Sequence, residues 1–218
     1  MSVGSVFARR ILCIWSVLCL WPTALCQAPE NVRELVLENE QVHVSRVSVA
    51  PHSKAQLRQA RDTVVVHLDD GEAEFFRLQS LATVDNPGDK PTTEIIVELK
   101  RHWDAEVHLC AAPMRCTRET TMAGNTIAWT TTLFSNGFLT AMRHKLVRGG
   151  TLNSSYYSAK GSDHILLIPL TDLQANFGGI DEQLRTGQAY FSAATEVEVT
   201  GKDAEARWVV IRLHTPAK

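Results

Sequence analysis

The chain has 218 residues, of which 44% are hydrophobic and 21% are charged, a composition typical of a globular protein with a sizeable core rather than of a disordered chain. Its formal net charge is −2, and lysine and arginine form no basic cluster. The sequence therefore gives no electrostatic reason to expect nucleic acid or an anionic membrane as a partner.

The first 26 residues have the pattern of a secretory signal peptide. Two arginines precede the apolar run of residues 11–21, and Ala24 and Cys26 occupy the small-residue positions before a cut. A membrane-spanning helix needs about 20 apolar residues, and this run is about half that length. We therefore expect cleavage without a stable membrane anchor, and a protein that is exported, either periplasmic or secreted.

Two later stretches, residues 39–100 and 136–214, share the order and spacing of their strand and turn patterns. In each, an alternating strand is followed by a turn, a polar stretch, and an aspartate, Asp62 or Asp163, that leads into an apolar run. Order, spacing and residue type agree, which predicts an internal duplication in which Asp62 matches Asp163.

Strand signals dominate both stretches and the segment between them. Short runs rich in β-branched residues, bounded by turn residues, predict strands at residues 42–49, 64–68, 95–99, 126–133, 138–147, 165–170, 196–199 and 208–213. Two polar segments, residues 53–61 and 180–184, predict short helical turns. The overall expectation is an all-β protein of sandwich or barrel type.

These patterns divide the chain after the signal peptide into three parts. We expect an N-terminal domain at residues 27–100, a connector at residues 101–135 and a C-terminal domain at residues 136–218. The connector is too apolar for a free linker and should pack on the two domains. The N-terminal domain is shorter by the length of a hairpin, which we expect to be trimmed.

The connector carries Cys110 and Cys116, the only cysteines outside the signal segment. In an oxidising compartment an even count indicates a disulfide. Unpaired thiols, or a metal or redox site that also uses His108, are the alternatives.

Several motifs together resemble a cupin domain, a double-stranded β-helix of the jelly-roll type. The first copy contributes VHVSRVSVAP at 42–51, DTVVVHLDDG at 62–71, DNPGD at 85–89 and IIVELK at 95–100. The second copy is similar, with GQAYFS at 187–192. The resemblance covers most of residues 39–214 and implies two tandem cupin-like barrels, that is, a bicupin.

The resemblance also implies where a metal would bind, since metal-binding cupins use a His-x-His pair, a glutamate and a last histidine. The matching positions hold Leu57, Gln59, Thr63 and Ala82 in the first copy and Ser158, Lys160, His164 and Val197 in the second. One histidine does not hold a metal, so we expect barrels without a metal or other cofactor.

One cluster stands out beside these positions: Tyr156, Tyr157, Lys160, Asp163 and His164. Aromatic faces, a cation and hydrogen-bond acceptors suit a polar small molecule or sugar, and we expect them to face the cavity of the second barrel. The alternative is a polar loop that caps the barrel mouth. The first copy has no aromatic side chain at comparable places and should bind less or nothing.

Three classes of function follow from this sequence. We favour a binding or interaction protein without metal over a cupin-type enzyme, an isomerase or oxygenase, with an atypical site in the second barrel. The third class is a purely structural pair of degenerate barrels. A homodimer formed through strand edges is compatible with any of them.

The disulfide gives the first testable prediction. The exported protein should have no free thiol under denaturing, non-reducing conditions, and two thiols per chain after reduction, as measured by thiol titration. Two thiols before reduction would reject the Cys110–Cys116 bond.

Overall fold

The computed structural model describes residues 32–101, 108–109, 117–122, 124–136, 138–153, 164–193, 197–202 and 204–214. All regular structure in these ranges is β-strand, which confirms the predicted all-β class. It follows that these ranges contain no helix long and apolar enough to cross a membrane. The signal segment and both cysteines of the proposed disulfide lie outside them, so cleavage, export and the disulfide stay predictions.

The first barrel is built from seven antiparallel strands. They are β1 (Val32–Glu38), β2 (Val42–Val49), β3 (Ser53–Arg58), β4 (Thr63–His67), β5 (Ala73–Phe76), β6 (Leu81–Asn86) and β7 (Thr92–Leu99). Five form a sheet in the order β1-β2-β7-β4-β5, and β3 pairs with β6 in a second, smaller sheet. Val47, Val65 and Ile96 of the larger sheet pack on Ala55 and Val84 of the smaller one, forming the core of this barrel.

The second barrel is larger. Its strands are β8 (His108–Leu109), β9 (Thr117–Met122), β10 (Asn125–Ser135), β11 (Leu139–Leu146), β12 (Thr151–Asn153), β13 (His164–Pro169), β14 (Leu173–Phe177), β15 (Ile180–Leu184), β16 (Tyr190–Ser192), β17 (Val197–Thr200) and β18 (Ala206–Leu213). One sheet has the order β16-β13-β18-β11-β10-β8, with β9 also paired to β10, and the other has the order β12-β17-β14-β15. The two-barrel arrangement agrees with the expected fold class.

Some local predictions were wrong. Residues 53–58 form β3 and residues 180–184 form β15, where short helical turns were expected. In β3 the pairing with β6 buries Ala55 in the barrel core, and this packing overrides the weak helix preference of the segment. The strand predicted at residues 126–133 of the connector is present as part of β10, which pairs with β11 over residues 128–135.

The two larger sheets correspond strand by strand. The order β2-β7-β4-β5 recurs as β11-β18-β13-β16. The side chain of Asn39 accepts hydrogen bonds from the backbone N–H groups of Gln41 and Val42 at the start of β2. Asn136 does the same for Phe138 and Leu139 at the start of β11, so Val42 corresponds to Leu139.

Two backbone irregularities recur at the same offset. A register shift interrupts β1 between Leu35 and Leu37, and another interrupts β10 between Thr132 and Phe134. The turn after β2 has a left-handed residue, His52 (φ 53°), and the turn after β11 has Gly149 (φ 74°) at the matching place.

Strand pairing corrects the expected alignment by one residue. Val42 pairs with Leu99 and Leu139 pairs with Leu213. One strand further on, Thr63 pairs with Glu98 and Ile165 with Arg212. Asp62 therefore corresponds to His164 rather than to Asp163.

The two larger sheets pack face to face and share one central core. This core is made of buried apolar side chains from both barrels: Val42, Val44, Val64, Val66, Ile95, Val97, Leu99, Phe134, Leu139, Ala141, Leu166, Ile168, Leu170, Ala189, Val209 and Ile211. At its rim, Gly71 of the first barrel lies against Leu170 and Arg143 of the second. Gly187 of the second barrel lies in the matching way against Leu68 and Arg46 of the first.

The contact at Gly71 gives a prediction about stability. Gly71 has φ 74°, and an added Cβ would overlap Cδ1 of Leu170 and lie 3.0 Å from Cδ of Arg143. Gly71→Ala should therefore combine the cost of a left-handed alanine, about 1–2 kcal/mol, with overpacking of about 1–3 kcal/mol. The measurement is the free energy of unfolding in denaturant.

Gly149→Ala is the matched control. Gly149 has the same φ, and an added Cβ would meet nothing within 4 Å. Equal losses in the two variants would show that the close contact between the barrels at Gly71 contributes nothing.

Candidate functional site

The clearest difference between the barrels lies in one row of paired residues across the larger sheets. In the first barrel Val47 pairs with Glu94, and Glu94 pairs with His67. At the matching positions of the second barrel His144 pairs with Trp208, and Trp208 pairs with Pro169. A carboxylate thus stands in one barrel where an indole stands in the other.

In the second barrel this row belongs to a filled core. The ring of Trp208 stacks on His144 with centroids 5.0 Å apart. The β14–β15 hairpin closes the barrel over them, because it adds Leu173, Ala175 and Leu184 to the same core.

The first barrel lacks this hairpin, because the turn Asp69-Asp70-Gly71 connects β4 almost directly to β5. A pocket of about 330 Å³ opens on this side of the barrel. Its lining comes from β4, β5, β6, β7 and the turn: Val65, His67, Asp69, Asp70, Glu74, Phe76, Thr83, Val84, Asp85, Thr92 and Glu94.

Five of the eleven lining residues are acidic, and His67 is the one basic side chain among them. Lys54 lies outside the lining and pairs with Asp85 through a 2.6 Å contact. The pocket is therefore strongly acidic, and we call it the acidic pocket.

His67 and Glu94 form the innermost charged pair of this pocket. Oε2 of Glu94 lies 2.6 Å from Nδ1 of His67, and Oε1 of Glu74 lies 4.0 Å from Nε2. The Glu94 carboxylate, with partial opposition from desolvation, raises the pKa of His67 above its ordinary value of 6.5. His67 is thus biased toward its charged form.

Two polar atoms of the lining are deeply buried. Oγ1 of Thr92 has no hydrogen-bond partner among the described residues, whereas Oε2 of Glu94 has His67 as its partner at 2.6 Å. A buried hydroxyl without a partner is rare in folded proteins, and a polar ligand in the pocket would provide one for Thr92.

Burial has the opposite effect on the pKa of His144 in the second barrel. Desolvation lowers the pKa of His144 to about 3. Its Nδ1 lies 2.9 Å from Oγ1 of Thr130. His144 is therefore a neutral residue of the filled core.

Of the ligand-binding residues expected from sequence, the structure describes His164 alone; Tyr156, Tyr157, Lys160 and Asp163 lie outside the described residues. His164 shares its face of β13 with Leu166, which belongs to the central core. Its ring stacks on Phe191 at 5.3 Å, and Nδ1 lies 3.1 Å from Nε2 of Gln41 in the first barrel. This side chain thus faces the contact between the barrels, not the cavity of the second barrel as expected.

The metal-ligand positions that the resemblance implied in the first barrel have structural roles. Gln59 is buried and donates from Nε2 to the backbone oxygen of Leu57, and Thr63 donates to the backbone oxygen of Arg61. Ala82 is also buried. Within the described ranges, no group of three or more His, Cys, Asp or Glu side chains could hold a metal ion.

Sequence reasoning missed this pocket. His67 lies within the strand predicted at residues 64–68, and neither His67 nor Glu94 was among the candidate site residues. One signal was available: Glu94 interrupts the run from Thr92 to Leu99, which is otherwise apolar at its buried positions. A second was the missing hairpin, since its removal leaves one side of a barrel uncovered.

Comparison with known proteins gives a likeness of fold and no closer relationship. No family model matches the chain, and no curated protein matches it. Among solved structures, AerE from Microcystis aeruginosa has a TM-score of 0.52 and 10% sequence identity, over 85% of this chain and 98% of that chain. A Cupin 2 conserved barrel domain protein from Leptotrichia buccalis has a TM-score of 0.48 and 10% identity, over 86% and 91% of the two chains.

The strand order of the two barrels and the likeness to AerE describe the same architecture over nearly the whole described chain. Each barrel has the jelly-roll arrangement of a double-stranded β-helix. The chain therefore has a cupin-like, two-barrel fold.

The His67–Glu94 pair predicts a pH dependence. Glu94→Gln removes the largest cause of the raised pKa, so His67 should titrate at lower pH in this variant than in the wild type, as measured by NMR. Glu74→Gln is the control and should move the His67 pKa less, because Glu74 is exposed and 4.0 Å away.

The sign of the stability effect follows from linkage. Because the pKa of His67 is raised in the folded state, His67 contributes its full stabilisation below pH 6.5, and this stabilisation is lost as pH rises through the raised pKa. His144 acts oppositely, because unfolding allows it to take up a proton between about pH 6.5 and about 3. His144 is present in both proteins, so their difference comes from His67. As pH falls from the raised pKa of His67 to 6.5, the wild type should gain stability relative to Glu94→Gln, and parallel curves over this window would contradict the assignment.

Proposed function

We propose that this protein is an exported binding or interaction protein of cupin-like fold whose ligand site is the acidic pocket of the first barrel. The ligand is a cation that carries N–H groups. The observation that supports this most directly is the open, acidic first barrel beside a second barrel filled by Trp208.

Charge and hydrogen bonding define the class of ligand. The lining carries more carboxylates than the neighbouring His67 and Lys54 can neutralise. An ammonium or guanidinium group would supply the missing positive charge and would also donate to Glu94 and Thr92. Phe76 adds an aromatic wall, which favours an organic cation.

In this proposal the second barrel supports the first. Its interior is occupied by its own side chains, and its larger sheet supplies half of the central core. The correspondence of strand order and bulges between the barrels is what an internal duplication would produce. Export remains an inference from the N-terminal sequence pattern.

Spermidine is a suitable probe, because it carries several ammonium groups and no aromatic ring. Titration calorimetry should detect binding to the wild type that weakens as salt is added, since part of the attraction is between charges near solvent. Glu74→Gln should lower the affinity about two- to tenfold, in line with the loss of one partly exposed charge contact.

Glu198→Gln is the matched control, because Glu198 is an exposed strand residue of the second barrel. It should bind spermidine as the wild type does. No binding to the wild type, or equal loss in both variants, would overturn the acidic pocket as a cation site.

A further inference from the structure

The strand that borders the acidic pocket, β6, has an unoccupied edge among the described residues. It pairs with β3 on one side only. Its counterpart β17 has two neighbours, β12 and β14. Because Ala55 pairs with Val84 and Leu152 pairs with Val199, Val84 and Val199 occupy matching positions.

The positions of β17 that pair with β14 in the second barrel correspond to positions of β6 that line the acidic pocket in the first barrel. β14 runs antiparallel to β17 and pairs Ala175 with Val199 and Gln174 with Thr200. The matching residues of β6 are Val84 and Asp85, and both line the acidic pocket. The pocket thus occupies the place of a missing strand.

We propose that the occupant of the acidic pocket is an extended peptide segment with basic side chains, which adds to the edge of β6 as an antiparallel strand. This inference rests on the proposed function and specifies its ligand. Strand addition to a free sheet edge obtains affinity from main-chain hydrogen bonds and specificity from pockets for alternate side chains.

The side-chain alternation of β14 indicates which side chains of the peptide would enter the acidic pocket. Leu173 and Ala175, two residues apart, both point into the core of the second barrel. A peptide strand in the same position sends every second side chain into the acidic pocket. There the excess of carboxylates over His67 matches a lysine or arginine, while an acidic side chain would increase this excess and an apolar one would leave it unchanged.

The charges at the edge of β6 favour a basic peptide over a neutral strand. Asp85 lies on the exposed side of β6 beside Lys54, and charges at a strand edge discourage pairing with an arbitrary strand. A basic peptide meets mostly carboxylates at this edge. Charge complementarity therefore selects which strand is accepted.

The test uses peptides as long as β14 and the mature full-length protein. The first peptide alternates threonine and lysine, the second alternates threonine and glutamate, and the third is the lysine peptide with N-methylated backbone amides on the edge that would face β6. Affinity is measured by fluorescence anisotropy, with spermidine titrated in parallel.

The inference expects the lysine peptide to bind and the glutamate peptide not to bind. N-methylation should weaken binding by about tenfold or more, because it removes main-chain donors. Glu74→Gln should weaken binding of the lysine peptide, and Glu198→Gln should not.

The alternative outcomes separate the two proposals. If spermidine binds and N-methylation has no effect, the site takes free cations, so the peptide inference fails and the proposed function stands. If neither spermidine nor the lysine peptide binds, both fail. If sedimentation shows a dimer that must dissociate before the peptide binds, a second copy covers this edge and the peptide assignment is overturned.

Discussion

Face-to-face packing of the two larger sheets is the constraint on which the rest of this molecule depends. The inner strands β4, β7, β13 and β18 carry apolar residues on both faces, because one face meets the central core and the other meets the core of its own barrel. Burying a branched apolar side chain contributes about 1.5–3 kcal/mol, and the central core contains many such residues from both barrels. Separating the barrels would expose all of them.

This packing limits where a ligand can bind. The central core uses one face of each larger sheet, so a cavity must form inside a barrel or at a rim. The second barrel is closed by Trp208 and by the hairpin that packs against it. In the first barrel Glu94 replaces the indole and the hairpin is missing, and these two changes together leave a pocket with a carboxylate at its floor.

The sequence predicted those features that depend on local patterns. Continuous apolar runs such as residues 64–66 and 165–168 mark strands that are buried on both faces, and they were placed to within a residue or two. Short polar strands such as β3 and β15 were not found, because they acquire their conformation from a neighbouring strand rather than from their own residues.

The site was harder to predict because side-chain direction depends on register. A shift of one residue moves a side chain to the other face of a sheet, and this is why His164 faces the first barrel instead of the second cavity. The acidic pocket brings together β4, β5, β6 and β7, whose lining residues lie up to 29 positions apart, from Val65 to Glu94. Only the fold brings these side chains together.

The matched contacts of Gly71 and Gly187 show that the barrels meet in a nearly symmetric way. In an assembly of two identical chains, every substitution appears on both sides of such an interface. In such an assembly, a substitution that opens the barrel of one chain would also open the barrel of the other chain, and both barrels would lose the side chains that fill them. Two barrels within one chain are free of this coupling. One barrel can lack the hairpin and the indole, while the other keeps a filled interior that supports the shared interface.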